Sequence, residues 1–202
     1  MAPKLIYFPI GGRAAPLRNA FKLGKIEFED VHVTFDEFKA AKAAGEYTFG
    51  AVPVLILDDG TQVTQSNAIL NWIGRQAGLI PSDAKEALFV DEVVCSIEDS
   101  YNLIGPTIRE QDEEKKMAMR KALVAEDGSL TKWLQGLSKL AERNGNNGYF
   151  VGSTGTIADL KANAVLGWLV SGILDGFPKT ILDNHPNLQK ALEVSNAWIE
   201  SA

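Results

Sequence analysis

Four polar residues in the first third of the chain, Tyr7, Arg13, Gln65 and Ser66, are of the types that hold and polarise a small anionic ligand. Tyr7 closes a short apolar run, Leu5 to Phe8, just before Pro9, Gly11 and Gly12 and the start of a helix. A hydroxyl placed there can donate to a bound anion, beside helix-end N–H groups and the cation of Arg13. From position alone, the plainer alternative of a tyrosine at the edge of the core weighs more. Gln65-Ser66 opens another helix, where a carboxylate would accept backbone N–H bonds and the Ser66 hydroxyl. Taken alone, the pair reads better as an ordinary helix cap beside a solvated glutamine. Pro53 precedes a strand of buried character. A trans proline is tolerated at the first position of such a strand. A cis Val52-Pro53 bond would instead turn the Val52 backbone outward to pair with an extended, peptide-like ligand.

Other chemistries find no support. His32 and His185 lie far apart and show no metalloenzyme spacing, and neither a phosphate-binding loop nor a Ser-His-Asp signature is present. Asp91, Glu98 and Asp99 share one side of a long helix, opposite its apolar stripe, and read as a solvated face. The single cysteine, Cys95, excludes an internal disulfide and a cysteine-rich metal site, and fits a reducing, cytoplasmic setting. A net charge of -6 with a pI near 5.0 argues against a nucleic-acid partner. No apolar run reaches the roughly 18 residues of a membrane span, and no signal region follows Met-Ala-Pro-Lys. The expectation is therefore a protein with neither a nucleic-acid nor a membrane partner.

The elements that must position these residues are legible as pattern. Leu5 to Phe8 is a strand, and Arg13 to Leu23 is a helix stopped by Gly24. Phe28 to Phe35 alternates as a strand, and a polar, alanine-rich helix runs from Asp36 to Ala44. Val52 to Leu57, Asp58-Asp59-Gly60 and Thr61 to Thr64 form a hairpin, after which Ser66 caps a helix with Ala68, Ile69, Trp72 and Ile73 on one face. Beyond it the chain is helical throughout. A long apolar stripe from Val90 to Ile108 is interrupted at Gly105-Pro106, and a further helix spans Leu123 to Leu140. Thr156-Ile157-Ala158-Asp159 resembles a capping box opening a helix towards Gly172, and a last helix follows Pro186. The expected organisation is an α/β domain over residues 1–78, a linker over 79–86 and an all-helical domain over 87–202.

Taken together, three motifs resemble the cytosolic glutathione transferases. They are Tyr7-Phe8-x-x-x-Gly12-Arg13-Ala14-x-x-x-Arg18, Phe49-Gly50-x-Val52-Pro53-Val54-Leu55 and Gln65-Ser66-x-Ala68-Ile69. The opening is most similar to the sigma class, which includes the glutathione-dependent prostaglandin D synthases. Val90-Asp91 through Glu98-Asp99, Ile157-Ala158-Asp159-Leu160 and Leu182-Asp183-Asn184-His185-Pro186 extend the likeness over nearly the whole chain.

The resemblance implies a thioredoxin-like N-terminal domain, an all-helical C-terminal domain and a homodimer. It also implies glutathione as co-substrate, activated as a thiolate to attack a small hydrophobic electrophile, in conjugation or in isomerase or peroxidase side reactions. By resemblance Tyr7 is the catalytic hydroxyl and Arg13 the arginine that tunes it. Gln65 and Ser66 would hold the γ-glutamyl end, Val52, before a cis Pro53, the cysteinyl part, and Phe38 and Lys42 the glycyl end. Asp99 would reach glutathione's amino group across the dimer interface, and Phe49 would key into the partner subunit. Two departures bear on the glycyl end: the family often has Trp where Phe38 stands, and Lys or Gln where Ala51 stands. No metal is expected, since Cys95 stands where one acid of the prostaglandin synthase cluster would be. A non-catalytic relative, like the lens S-crystallins, is the alternative. A thiol–disulfide oxidoreductase would need a cysteine where Gly11, Gly12 and Arg13 stand.

Overall fold

The computed structural model describes residues 2–202 and divides the chain into two compact units, one ending at Ile80 and the other spanning Pro81–Ser201. In the first unit, β1 (Lys4–Tyr7) is a central strand of a four-stranded sheet of order β2-β1-β3-β4. A 3₁₀ turn (Gly12–Ala14) leads into α1 (Ala15–Leu23), which carries Pro16 in its first turn, where a missing N–H costs nothing. Leu17, Ala20 and Phe21 recur at helical spacing and are fully buried. This crossover returns the chain in parallel as β2 (Glu29–His32), with Tyr7 paired to His32. Below it the Phe21 and Phe28 rings stack with centroids 4.3 Å apart.

The second strand is shorter than its alternating pattern predicts, because Thr34 leaves the sheet to cap α2 (Phe35–Ala43). The Thr34 hydroxyl accepts from the Glu37 N–H, while Glu37 accepts from the Thr34 N–H at 2.7 Å, a reciprocal capping box. β3 (Val54–Ile56) and β4 (Gln62–Thr64) form the expected antiparallel hairpin, closed at Gly60, and β3 pairs antiparallel with β1. The next helix, α3 (Ser66–Gln76), buries Ile69, Leu70 and Ile73 against α1. Ser66 is its first helical residue, so the expected Ser66 cap is corrected: Gln65 holds the cap position and makes no side-chain cap bond.

The second unit is built on α4 (Ala84–Arg109), which Asp83 caps by accepting from the Lys85 and Glu86 N–H groups. The expected interruption at Gly105-Pro106 does not occur, and the helix continues to Arg109. Ile104 and Thr107 keep the buried face continuous, and the Thr107 hydroxyl donates to the Ile104 carbonyl. Packing outweighs the single backbone bond that proline removes.

The span expected as one helix from Leu123 to Leu140 is divided between α5 (Glu113–Leu123) and α6 (Ser129–Arg143). At Gly128 the chain folds back so closely on the Leu123 carbonyl that a Cβ would clash with backbone. Only glycine passes there. α7 (Ile157–Val170) is buried nearly all round, as its apolar composition requires, and packs on α4 and α8 (Pro186–Glu200). Its Thr156–Asp159 capping box is present, and the Asp159 carboxylate also accepts from the Phe150 N–H at 2.9 Å. Glu98 is not a purely solvated acid: it pairs with Lys161, a buried lysine of α7.

Candidate functional site

Sheet register gathers the candidate residues of the first unit at one end of the strands. Ile6 pairs with Val54, and Val54 with Thr64. Tyr7 ends β1, Pro53 immediately precedes β3 and Gln65 immediately follows β4, so the three stand at the same end of the sheet. The Val52-Pro53 bond is cis. Thus three segments, the first more than 40 residues from the other two in sequence, converge at one end of the sheet.

Tyr7 is 8% exposed, with its carbonyl accepting from the Val33 N–H. Its hydroxyl oxygen accepts the Arg13 backbone N–H at 3.3 Å. The hydroxyl proton is thereby left to donate outward, and an N–H bond to the oxygen polarises the O–H further. Gly12, at φ +45°, lets this approach happen: a Cβ there would stand 2.7 Å from the hydroxyl.

Gln65 is one of three non-glycine residues with positive φ among the described residues, at φ 72° and ψ 105°. Such a conformation costs on the order of 1–3 kcal/mol and clusters at ligand clamps. It aims the chain so that α3 begins immediately at Ser66. The first-turn N–H groups of this 11-residue helix then face out of its N-terminus, where an anion is favoured.

Phe38 and Lys42 lie on α2. The Phe38 ring is half-buried, edge-on to Phe8 at 5.4 Å and stacked on Tyr47 at 6.2 Å. It has no N–H, so what it offers is an apolar wall. The Lys42 stem crosses Gly50, close enough that its Cε would lie 3.2 Å from a Cβ placed there, and its ammonium end is exposed. Phe49 is 67% exposed, an unusual state for a large aromatic side chain. Asp99 is an exposed residue of α4 and belongs to the second unit.

Nothing in the sequence around Arg18 of α1 announces a role, yet its guanidinium stands 5.9 Å from the Tyr7 ring centroid. It also donates to the Asp30 carboxylate and to the Phe8 and Ile10 carbonyls. Among the described residues, no group of three His, Cys, Asp or Glu could hold a metal ion, and no helix is long and apolar enough to cross a membrane. Cys95 is an exposed thiol on α4.

Comparison with known proteins decides what this arrangement belongs to. Residues 3–75 match the N-terminal domain of glutathione S-transferases, and residues 98–197 match the C-terminal domain of the same family. The chain belongs to the glutathione S-transferase family. A glutathione S-transferase of Anopheles gambiae is 31% identical over 94% of this chain and 88% of its own length. The solved prostaglandin synthase D of Nilaparvata lugens superposes with a TM-score of 0.83 at 25% identity, covering 99% of this chain and 98% of that one. A monomeric glutathione S-transferase of the hookworm Necator americanus gives a TM-score of 0.77 at 27% identity, covering 100% and 97%. The thioredoxin-like fold followed by a helical domain is the arrangement these relatives share, and the protein is a glutathione transferase.

Proposed function

We propose that this glutathione transferase holds glutathione's sulfur as a thiolate through the Tyr7 hydroxyl and directs it at a small hydrophobic electrophile. The supporting observation is the direction of one hydrogen bond. Because the Tyr7 oxygen accepts from the Arg13 N–H, its own proton is available to the sulfur. A free thiol has a pKa near 8.5, and lowering it by about two units takes roughly 2.7 kcal/mol of thiolate preference. One hydrogen bond to a charged group supplies about 1.5–3 kcal/mol, so this hydroxyl accounts for most of the effect. Arg13 adds positive charge nearby.

In this reading Gln65, Ser66 and the α3 N-terminus receive the γ-glutamyl carboxylate. The Val52 backbone pairs with the cysteinyl part. Lys42 meets the glycyl carboxylate, with Phe38 as a wall. The sigma-class placement rests on the Tyr7-to-Arg18 motif, and the prostaglandin synthase D neighbour agrees with it. Asp99 and the exposed Phe49 fit a homodimer, in which Asp99 reaches the partner's glutathione and Phe49 is buried. Sedimentation of wild type and Phe49→Ser tests that assembly; two monomeric species would remove it. An exposed, unpaired Cys95 fits the reducing cytoplasm.

The test of the catalytic reading is a pH titration of the ultraviolet absorbance of enzyme-bound thiolate. Tyr7→Phe should raise the bound thiol's pKa towards its free value and lower kcat by about tenfold to a hundredfold. Equal pKa values in the two proteins would remove Tyr7 from this role.

A further inference from the structure

We propose that Arg18 is a positioning residue for the reaction, acting through the geometry of Tyr7 rather than through its own charge. The inference rests on the thiolate reading of Tyr7. Immediately after that residue the chain runs through Phe8, Pro9 and Ile10 outside any strand or helix, and Pro9 has no N–H with which to anchor itself. Arg18 supplies the anchor. One terminal nitrogen donates to the Ile10 carbonyl, and the other to the Phe8 carbonyl at 3.1 Å. The Nε donates to Asp30 Oδ2 at 2.9 Å, and the second terminal nitrogen also reaches Asp30 Oδ1 at 3.2 Å. A single guanidinium therefore joins α1, the segment after Tyr7 and strand β2.

The joint matters because the Arg13 N–H that meets the Tyr7 hydroxyl is carried by the turn fused to α1. The Ala14 and Ala15 N–H groups both bond the Gly11 carbonyl, so turn and helix form one piece. Tyr7 is carried by β1. The distance between hydroxyl and amide is thus a distance between strand and helix, and Arg18 fastens the helix to the segment directly following Tyr7. Asp30, which also contacts His32 Nε2 at 3.1 Å, pairs with the guanidinium on two oxygens. Its carboxylate offsets the positive charge that Arg18 would otherwise place beside the tyrosine ring. What remains is a planar fork with donors aimed at four acceptors, which an ammonium group cannot reproduce.

Arg18→Lys separates the two roles, since it keeps the charge and loses the fork. The experiment titrates enzyme-bound glutathione thiolate by absorbance in wild type, Arg18→Lys and Tyr7→Phe, with circular dichroism to check folding. The positional role predicts a bound-thiol pKa raised by about one unit in Arg18→Lys, with the glutathione Kd within about threefold of wild type. A wild-type pKa in Arg18→Lys, alongside a raised one in Tyr7→Phe, overturns the proposal. Wild-type values in both variants remove the Tyr7 reading, and the Arg18 role falls with it. If the lysine variant does not fold, Asp30→Asn carries the same test: a raised pKa supports the positional role and an unchanged one overturns it.

Discussion

The Tyr7 hydroxyl and the α-carbon of Gly12 are neighbours so close that a methyl group on Gly12 would stand 2.7 Å from the oxygen. Gly12→Ala therefore acts at the atom proposed to hold the thiolate. It must displace the Tyr7 ring tip, and at φ +45° it also adds roughly 1–2 kcal/mol of backbone strain. The expected outcome is a bound-thiol pKa raised towards the free value and a loss of about tenfold or more in kcat/KM. The thermal midpoint should fall only by several degrees. Full activity in Gly12→Ala would show that the hydroxyl position is not critical.

Asp159 governs stability, not chemistry. Its buried carboxylate accepts from the Thr156 N–H at 2.8 Å, the Thr156 hydroxyl at 2.9 Å and the Phe150 N–H at 2.9 Å. Asp159→Ala strands these donors in the core, at a cost of about 2–4 kcal/mol. Urea unfolding should show the midpoint falling steeply. Asp159→Asn, which keeps one acceptor oxygen, should lose less. Equal stability for wild type and Asp159→Ala would mean that water or relaxation satisfies the donors.

What the sequence revealed and what it concealed follow one rule: local pattern was readable, and partners across a crossover were not. Tyr7 and the Thr156–Asp159 box are marked by their immediate neighbours, so their places were expected. The partnership of Arg18 with Asp30 spans a helix-to-strand crossover, and no spacing rule pairs those positions. Pro106 read as a break because local propensity cannot know that Ile104 and Thr107 are buried on the same face. The expectation of one helix passes over the break at Gly128 although Glu126-Asp127-Gly128-Ser129 is a polar, turn-type run, and the backbone contact with Leu123 shows why glycine stands there. The sequence marks Gln65 as the residue at a helix start, but not its positive φ, since nothing in a glutamine announces it.

His185 provides a pH dependence whose sign is fixed. It holds the position just before α8 and is half-buried, and burial pulls its pKa below the ordinary value of 6.5. The folded protein therefore favours the neutral ring. Its contribution to stability is complete above the unfolded pKa and is lost as pH falls through the lower folded value. In that window, below pH 6.5, the unfolded chain binds more protons, so stability declines on acidification. His185→Gln should flatten this slope relative to wild type in denaturation measured at successive pH values. Parallel slopes would show that the ring titrates alike in both states.

Lys42 is expected to bind and not to catalyse. Its stem lies along Gly50 and the residue is exposed, and in the proposed reading its ammonium meets the glycyl carboxylate. In that reading Phe38 offers the carboxylate no N–H, so Lys42 would bear more of the contact than it would beside a tryptophan. An exposed charge pair of this kind is worth up to about 1 kcal/mol and is screened by salt. Lys42→Ala should thus raise the KM for glutathione by about threefold to fivefold with kcat unchanged, and the difference should shrink in high salt. Steady-state kinetics with glutathione varied at two ionic strengths decides it. A fall in kcat at unchanged KM would place Lys42 in the chemical step instead.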